Sequence, residues 1–451
     1  MNLFRRHKNG NNERGQILPM LAVFLVVMIL FIGMAIDLGY AYVTKANLSK
    51  AVDAAALRGM LNISKGTANA ALIAQSVFAA NYQSSGRDTS MPVPTVTFNP
   101  NPPVPNQLTT INVSATTTVN TFFANIVPGL KTLTISDTAQ SARANAMITL
   151  VLDHSRSMTL NGGQQALPPA IQYFLSYLSD TLDQASVASF GNAGSLDIAM
   201  EHNFTNDINN FVSGMNFTGG TYAQGGLDNA ANALCGWAVP GTWPYAGACP
   251  VVANTKKVVV FFTDGWANTN YDVLNKQPGG GGCPGTAVYY GGCAYPEGEF
   301  GAGWCGVPNQ SPWVNIWLDA NGTSANGCTP TSFPVKQPGN SGMPRSVSDG
   351  ETLIPNDAMY RAMTWANAMR AQGVLVYAVG LGDKVSLQFL QVLASDPSVA
   401  GTSYLGVTPN STALTQGLGE WAKDCPGAQC SSELNQAFQL IATDILLKLT
   451  Q

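Results

Sequence analysis

Apolar residues near the start of the chain form one long run. From Ile17 to Ile36 no residue is charged, and a helix over this range is apolar on every face. At about 1.5 Å per residue such a helix is roughly 30 Å long, the thickness of the hydrocarbon core of a bilayer. The run therefore predicts a transmembrane helix over 17–42, which continues in alanine-rich sequence to about residue 60, with Gly59 as a plausible break.

A change of period follows a second alanine-rich helix, predicted over about Thr67–Asn81. β-Branched and polar residues now alternate, which is typical of strands with one buried face. The alternating segments are 95–98, 111–119 and 133–142. The range 60–145 is thus predicted to be a small α+β unit.

From residue 146 the pattern alternates apolar strands with helical stretches. The strands are apolar on both faces, as expected in a parallel sheet between two helix layers. They are predicted at 147–153, 185–190, 257–264 and 374–380, with helices near 167–180, 222–235, 356–371 and 433–449. The range 146–450 is therefore predicted to be an α/β domain with a doubly wound, mostly parallel sheet.

One stretch of this domain, 267–355, does not fit the alternation of strands and helices. It is rich in Gly, Pro, Trp and Asn and contains four of the eight cysteines. A structureless loop of this length is uncommon inside a compact domain. We interpret it as a Cys-rich insertion held by disulfides.

Charge places the ends of the apolar run on opposite sides of a membrane. The basic segment 1–16 includes Arg5, Arg6, Lys8 and Arg14, which predicts a cytoplasmic N-terminus and an extracytoplasmic remainder. A cleaved signal peptide is the alternative, but its apolar region is usually only about 7–15 residues long. Charged residues make up 11% of the chain and the net charge is −4, so no nucleic-acid partner is indicated.

Cysteine placement agrees with this topology. All eight cysteines follow the apolar run, and disulfides persist in oxidising compartments. Zinc is disfavoured because the sequence has no C-x-x-C motif and only three histidines. Bridges between near neighbours, such as Cys283 with Cys293 or Cys425 with Cys430, are hypotheses among many possible pairings.

Candidate chemistry lies in three loops, two of which directly follow predicted strands. Because ligands bind at the carboxyl ends of strands in open α/β sheets, we expect these loops to meet there. Carboxylates and hydroxyls without nitrogen or sulfur suit a hard cation. Asp153 and Ser155 alone could be helix caps, but three compatible loops favour a metal. The loops are Asp153-His154-Ser155-Arg156-Ser157, Gly219-Gly220-Thr221 and Thr263-Asp264-Gly265.

Residues 146–265 and 356–449 resemble a von Willebrand factor A (VWA) domain, a Rossmann-like fold with a metal ion-dependent adhesion site (MIDAS). That site uses D-x-S-x-S, a threonine and an aspartate on three loops. The resemblance implies a bound Mg²⁺ or Mn²⁺ with one open position for a carboxylate of a partner. His154 and Arg156 are expected at the rim. The implied ligands are Asp153, Ser155, Ser157, Thr221 and Asp264.

The first 60 residues resemble the TadE/TadG-like proteins of tight-adherence (Flp) pilus loci. The stretch from Arg14 to Gly59 has basic residues, a glycine, the apolar run, Asp37, Tyr40 and then D-A-A-A-L. Together with a VWA domain this resembles the TadG-like members. The resemblance implies a single-pass protein of the bacterial inner membrane, with most of the chain periplasmic or extracellular. Its partners would be pilus-assembly or envelope components.

Two further expectations concern the two ends of the apolar run. Asp37 is expected to be a solvated end residue at the outer interface, with Tyr40 and Tyr42 as interfacial anchors. Prepilin peptidase substrates usually carry Glu at the fifth position after the cleaved glycine. Here that position is Met20, so processing at Gly15 is not expected.

The leading hypothesis is a membrane-anchored extracytoplasmic binding protein for pilus assembly or surface adhesion. The alternative is a lectin-like or peptide-binding protein that uses the insertion as its recognition surface. A hydrolytic enzyme is disfavoured because there is no G-x-S-x-G elbow, and only His154 and His202 lie outside the cytoplasm. The alternative depends on four tryptophans in or beside the insertion, Trp266, Trp304, Trp313 and Trp317.

Overall fold

The computed structural model describes residues 17–105, 107–237, 247–265, 267–276, 288–294, 302–304, 328–330, 347–382, 385–409, 415–422 and 429–449. The chain divides into two units. The N-terminal unit comprises Met1–Asn99 and Thr110–Ser141, and the C-terminal unit comprises Pro100–Thr109 and Ala142–Gln451.

Two helices open the N-terminal unit. Helix α1 spans Ile17–Leu61 and α2 spans Thr67–Asn81, the range predicted for it. A Cβ on Gly59 would lie 2.9 Å from the Cβ of Ala74, so the absent side chain lets the two helices approach closely. Helix α1 ends at Leu61, two residues after Gly59, close to the break predicted there.

A three-stranded sheet completes this unit, in the order β1-β2-β3. The strands are β1 (Thr95–Asn99), β2 (Thr109–Asn120) and β3 (Thr132–Arg143). β1 and β2 are antiparallel, and buried residues alternate along β2 as the period of two predicts. A short 3₁₀ helix, Ala124–Ile126, lies in the β2–β3 connection.

Helix α1 contains a long exposed apolar segment. From Pro19 to Ile32 every residue is exposed, and the first buried residue is Gly33. Within the described part of the chain, α1 is the single helix long and apolar enough to cross a membrane, with a mean hydropathy of 2.8 in its apolar window. Its length and composition agree with the predicted span.

Asp37 is not the solvated end residue that the sequence predicts. It is 5% exposed. Its Oδ1 accepts a hydrogen bond from the Phe122 amide at 2.7 Å, and its Oδ2 accepts from Phe123 at 2.9 Å and Ala124 at 2.7 Å. These amides lie at the start of the 3₁₀ helix, where N–H groups lack partners within the helix. The carboxylate is buried because it supplies those partners.

The C-terminal unit is built from ten further strands and seven further helices in the described residues. The strands are β4 (Asn145–Asp153), β5 (Gln184–Phe190), β6 (Gly194–Glu201), β7 (Thr255–Thr263), β8 (Thr269–Lys276), β9 (Val288–Ala294), β10 (Ala302–Trp304), β11 (Cys328–Pro330), β12 (Leu375–Leu381) and β13 (Gly419–Ala422). The helices are α3 (Ser157–Leu160), α4 (Gly163–Leu175), α5 (Thr205–Ser213), α6 (Ala223–Cys235), α7 (Val347–Ala371), α8 (Leu387–Ala394) and α9 (Gln429–Leu449).

Six of these strands form one sheet in the order β13-β12-β7-β4-β5-β6. All neighbours are parallel except the edge strand β6, which runs antiparallel to β5. The predicted doubly wound, mostly parallel sheet is confirmed. Strands β6 and β13 and helices α5 and α8 were not predicted.

Helices cover both faces of this sheet, as two adjacent residues of β7 illustrate. Side chains alternate along a strand, so Phe261 and Phe262 point to opposite faces. The ring centroid of Phe261 lies 6.3 Å from that of Phe389 in α8, and that of Phe262 lies 6.2 Å from that of Phe438 in α9. Strands that are apolar on both faces therefore occupy the middle layer.

The remaining four strands form a separate antiparallel sheet, ordered β10-β9-β8-β11, within the predicted insertion. A disulfide joins Cys235 to Cys249, just before the insertion. The hypothetical bridges Cys283–Cys293 and Cys425–Cys430, and the side chains of the four tryptophans, lie outside what the structure describes.

Candidate metal centre

Asp153 ends the central strand β4 and is fully buried. Its Oδ1 accepts a hydrogen bond from the Ser155 amide at 2.7 Å, which folds the loop into an Asx turn. Its Oδ2 accepts from the hydroxyl of Thr263 at 2.6 Å, the last residue of the neighbouring strand β7. Both oxygens of the carboxylate are thereby held at the carboxyl edge of the sheet.

A chain of hydroxyls joins the first loop to the third. The hydroxyls of Ser155 and Ser157 are 2.8 Å apart, and that of Ser157 donates to Asp264 Oδ1 at 2.7 Å. Asp264 Oδ2 accepts from Asn161 Nδ2 at 3.0 Å. The structure therefore brings together Asp153, Ser155, Ser157 and Asp264, which are far apart in sequence.

Thr263 and Asn161 orient the two carboxylates, and neither was predicted as a site residue. Thr263 could have been predicted from the sequence, because it is a hydroxyl residue at the end of a strand and directly precedes Asp264. Asn161 follows Ser157 by four residues, a spacing that puts both on one side of a helical turn. That spacing alone gives no reason to choose Asn161 over its neighbours.

The second loop adjoins the first through its backbone. The Arg156 amide donates to the Gly219 carbonyl at 3.1 Å, and the Thr218 amide donates to the His154 carbonyl at 2.7 Å. Gly219 has a φ of 86°, in the left-handed region that glycine adopts readily. Thr221 follows and is buried, and its amide donates to Asn268 Oδ1 at 2.7 Å.

Electrostatics make the two carboxylates an unfavourable pair by themselves. Burial, and then repulsion by the Asp264 carboxylate, raise the pKa of Asp153. Burial also raises the pKa of Asp264, against hydrogen bonds from Ser157 and Asn161 that favour its charged form. A nearby cation would favour both charged forms. The environment of the pair therefore suits a bound cation.

The donor set agrees with a hard cation. Among the described residues, no group of three or more His, Cys, Asp or Glu side chains is placed to hold a metal ion. This cluster has two carboxylates, and its other donors are hydroxyls. Oxygen donors of this kind suit Mg²⁺ or Mn²⁺, and Mg²⁺ keeps several waters when it has few carboxylate ligands.

Each of the two described histidines has a contact away from Ser155. His154 is half-buried beside Gly191, where a Cβ would lie 2.6 Å from the imidazole Cε1, and burial lowers the pKa of His154. His202 Nδ1 lies 2.8 Å from the carbonyl oxygen of Asp183, which precedes β5 and so lies at the opposite edge of the sheet. Arg156 is exposed.

A mostly parallel sheet with an antiparallel edge strand, and a D-x-S-x-S loop at the end of its central strand, define an α/β domain of the class expected from the VWA resemblance. The N-terminal segment has its own relatives. Residues 15–72 match the family model described as "Putative Flp pilus-assembly TadE/G-like". This confirms the TadE/TadG-like resemblance of that segment. No curated protein matches the chain.

Solved structures similar to the chain include several pilus proteins. The vWF domain of the type V pili tip protein Mfa5 from Porphyromonas gingivalis is 13% identical, with a TM-score of 0.37 over 68% of this chain and 97% of that chain. The pilus adhesin SpaC from Lactobacillus rhamnosus GG is 14% identical, with a TM-score of 0.37 over 78% of this chain and 35% of that chain.

A third similar structure is the proximal thread matrix protein 1 of the mussel byssus with a zinc-occupied MIDAS motif. It is 15% identical, with a TM-score of 0.32 over 66% of this chain and 48% of that chain. The present chain thus spans about a third of the length of SpaC and about half that of the mussel protein.

Proposed function

We propose that the chain is a membrane-anchored, extracytoplasmic binding protein of a Flp-type pilus system. Its C-terminal unit binds Mg²⁺ or Mn²⁺ through Asp153, Ser155, Ser157, Thr221 and Asp264. The metal keeps one open coordination position, which a carboxylate of a pilus or envelope protein occupies. Binding the partner, rather than catalysis, is the activity.

The observation that carries the metal half is the buried pair Asp153 and Asp264. Two carboxylates share one hydroxyl network, and burial raises the pKa of each. Retaining such a pair is costly unless something compensates its charge. A divalent cation bound at this edge supplies that compensation and, because Mg²⁺ retains exchangeable waters, offers a position to a ligand oxygen.

The anchor half is supported by helix α1 and by the family match. The apolar run is long enough to span a bilayer, and the TadE/G-like match over residues 15–72 includes it. Basic residues precede the run, which favours a cytoplasmic N-terminus and an inner-membrane location. The chain beyond the apolar run then lies on the outer side of that membrane.

The test is capture of envelope proteins by the full chain in nanodiscs, with and without a chelator. We expect capture in Mg²⁺, loss of capture in EDTA, and recovery when Mg²⁺ is restored. Asp153→Ala is expected to abolish both capture and the heat of Mg²⁺ binding in calorimetry. Asp207→Ala is the matched control, since Asp207 is an exposed acid in α5.

Two results would contradict the proposal separately. Capture that survives EDTA and Asp153→Ala would remove the metal from recognition and favour the insertion as the binding surface. Recovery of the wild-type chain in the soluble fraction would refute the anchor, whatever the metal does.

A further inference from the structure

The connection between β2 and β3 carries an apolar surface with no partner in the described residues. This connection, the apolar loop, spans Phe122–Leu130 and has the sequence FFANIVPGL, with no charged residue. Phe122 is 62% exposed and Ile126 is 73% exposed. Val127 and Leu130 are also exposed. Clustered apolar exposure of this kind marks an interaction surface.

Hydrogen bonds hold this loop against α1. Asp37 accepts from the amides of Phe122, Phe123 and Ala124, as described above. One helical turn earlier, Gly33 makes room for Phe123, because a Cβ on Gly33 would lie 2.4 Å from the Cβ of Phe123. The apolar loop is therefore fixed at the level of residues 33–37 of α1.

The length of α1 places that level at the membrane. Below the loop, the helix from Ile17 to Ile32 has 16 residues and measures about 24 Å, which is short of the roughly 30 Å of a hydrocarbon core. The missing distance of about 6 Å corresponds to residues 33–36. A bilayer that covers the whole apolar run therefore also covers the height at which the apolar loop lies.

Polar and aromatic residues border the loop on its outer side. The guanidinium of Arg87 lies 4.4 Å from the ring centroid of Tyr40, 5.2 Å from that of Phe122, and 3.8 Å from Asp37 Oδ1. Lys131 follows the loop directly. Tyrosine and basic side chains concentrate at the headgroup level of membranes. The apolar loop thus has a headgroup-like border on one side and the apolar helix on the other.

We propose that the apolar loop inserts into the outer leaflet beside α1 and is a second membrane contact of the protein. Phe122, Ile126 and Val127 contact acyl chains, while Arg87 and Lys131 lie among the headgroups. This inference rests on the proposed membrane anchor. On this proposal the N-terminal unit contacts the membrane at two places, through α1 and through the apolar loop.

The experiment uses a photoreactive diazirine amino acid in the full-length chain, in vesicles of phosphatidylethanolamine and phosphatidylglycerol. The test position is Ile126. Ile29 is the positive control, because it lies within the exposed part of the apolar run. Leu72 is the matched negative control, since it is 63% exposed on α2. Helix α2 packs against α1 near Gly59, about 33 Å beyond Asp37 along the helix.

We expect phospholipid adducts by mass spectrometry at Ile126 and Ile29, and none at Leu72. Adducts at Ile29 without adducts at Ile126 would overturn the inserted loop while leaving the anchor intact. Crosslinks from Ile126 to a second copy of the chain would also overturn it, since the loop would then be a protein interface. A lack of lipid adducts at Ile29 would instead refute the anchor.

Discussion

Two buried acidic sites in this protein are built in opposite ways. In the N-terminal unit the Asp37 carboxylate accepts hydrogen bonds from three backbone amides, and the Arg87 guanidinium lies nearby. In the C-terminal unit Asp153 lies close to a second buried carboxylate, Asp264, and each of the two accepts a hydrogen bond from a hydroxyl, of Thr263 or of Ser157. The first carboxylate is compensated by the protein itself, whereas the second site concentrates negative charge.

The difference separates a structural carboxylate from a candidate binding site. Charge-assisted hydrogen bonds from fixed amides stabilise a buried anion. Hydroxyls can rotate, and each can accept as well as donate, so a serine bonded to a carboxylate can turn a lone pair toward a cation. The hydroxyls around Asp153 can therefore turn toward the proposed metal, whereas the backbone amides around Asp37 are fixed.

The largest expected effect is at the acidic pair. Wild-type protein should gain about 2.7 kcal/mol of unfolding free energy at a Mg²⁺ concentration 100 times the dissociation constant, because the metal binds only the folded state. Asp264→Asn removes one charge at nearly constant side-chain size. In denaturation experiments this variant should show almost none of the Mg²⁺-dependent gain in unfolding free energy.

The same variant makes a second, opposite prediction. Without metal it should be at least as stable as the wild type, because the repulsion between the two carboxylates is gone. Asp207→Asn serves as the control and should respond to Mg²⁺ as the wild type does. A full Mg²⁺ response in Asp264→Asn would show that the pair does not hold the metal.

The next effect is local and lies in the N-terminal unit. Asp37→Ala leaves three amides without an acceptor, and an unsatisfied buried donor costs about 1–3 kcal/mol. Hydrogen exchange over residues 121–131 should therefore become at least about tenfold faster. Asp37→Asn keeps one acceptor oxygen, so its exchange rate should lie between those of the wild type and Asp37→Ala. Asp53→Ala, at an exposed position of α1, should leave the exchange unchanged. Unaltered exchange in Asp37→Ala would mean that the loop is held by other contacts.

A further effect is the pH dependence of the metal-free C-terminal unit. The folded pKa values of Asp153 and Asp264 are raised, so the folded state retains protons that the unfolded chain releases. Their contribution to stability is complete below the unfolded pKa, near 4, and is lost as pH rises through the raised folded values. The slope is at most about 1.4 kcal/mol per pH unit for each such proton.

Saturating Mg²⁺ should reverse this trend, because the metal requires both carboxylates in their charged form. Unfolding free energies measured between pH 5 and 8, in EDTA and in Mg²⁺, give the two slopes. The difference between wild type and Asp264→Asn removes the contribution of other titrating groups. Identical slopes in EDTA and Mg²⁺ would contradict a metal at this pair.

Much of the fold follows from local pattern. Runs such as Val258–Phe262 are apolar on both faces, and such strands fit only between helix layers, which fixes the sheet type. Strand β6, by contrast, is a short edge strand that was not predicted, although its residues alternate between a face with Ser195, Asp197 and Glu201 and a face with Leu196, Ile198 and Met200. The short helix α8 was missed because eight residues provide too few turns for a clear period.

The candidate metal site could be predicted largely from local sequence, whereas the surroundings of Asp37 could not. The D-x-S-x-S loop could be found because its donors are adjacent in sequence and follow a strand, and Asp153, Ser155, Ser157 and Asp264 do converge. Their metal, and the part of Thr221 in binding it, stay predictions. The burial of Asp37 could not be predicted, since its partners are amides 85 to 87 residues away whose availability depends on a turn in another element.

The position of β4 has a mechanical consequence. The strand starts at Asn145, soon after the chain leaves the N-terminal unit, and ends at Asp153. A partner that pulled on the proposed metal would therefore load β4 along its own axis. Parallel ladders flank it on both sides, from Met147 to Asp153 with β5 and from Asn145 to Leu152 with β7. Tension would shear many hydrogen bonds at once instead of opening them one by one. If the proposed function holds, a load between the anchor and the partner would meet its resistance in these two ladders.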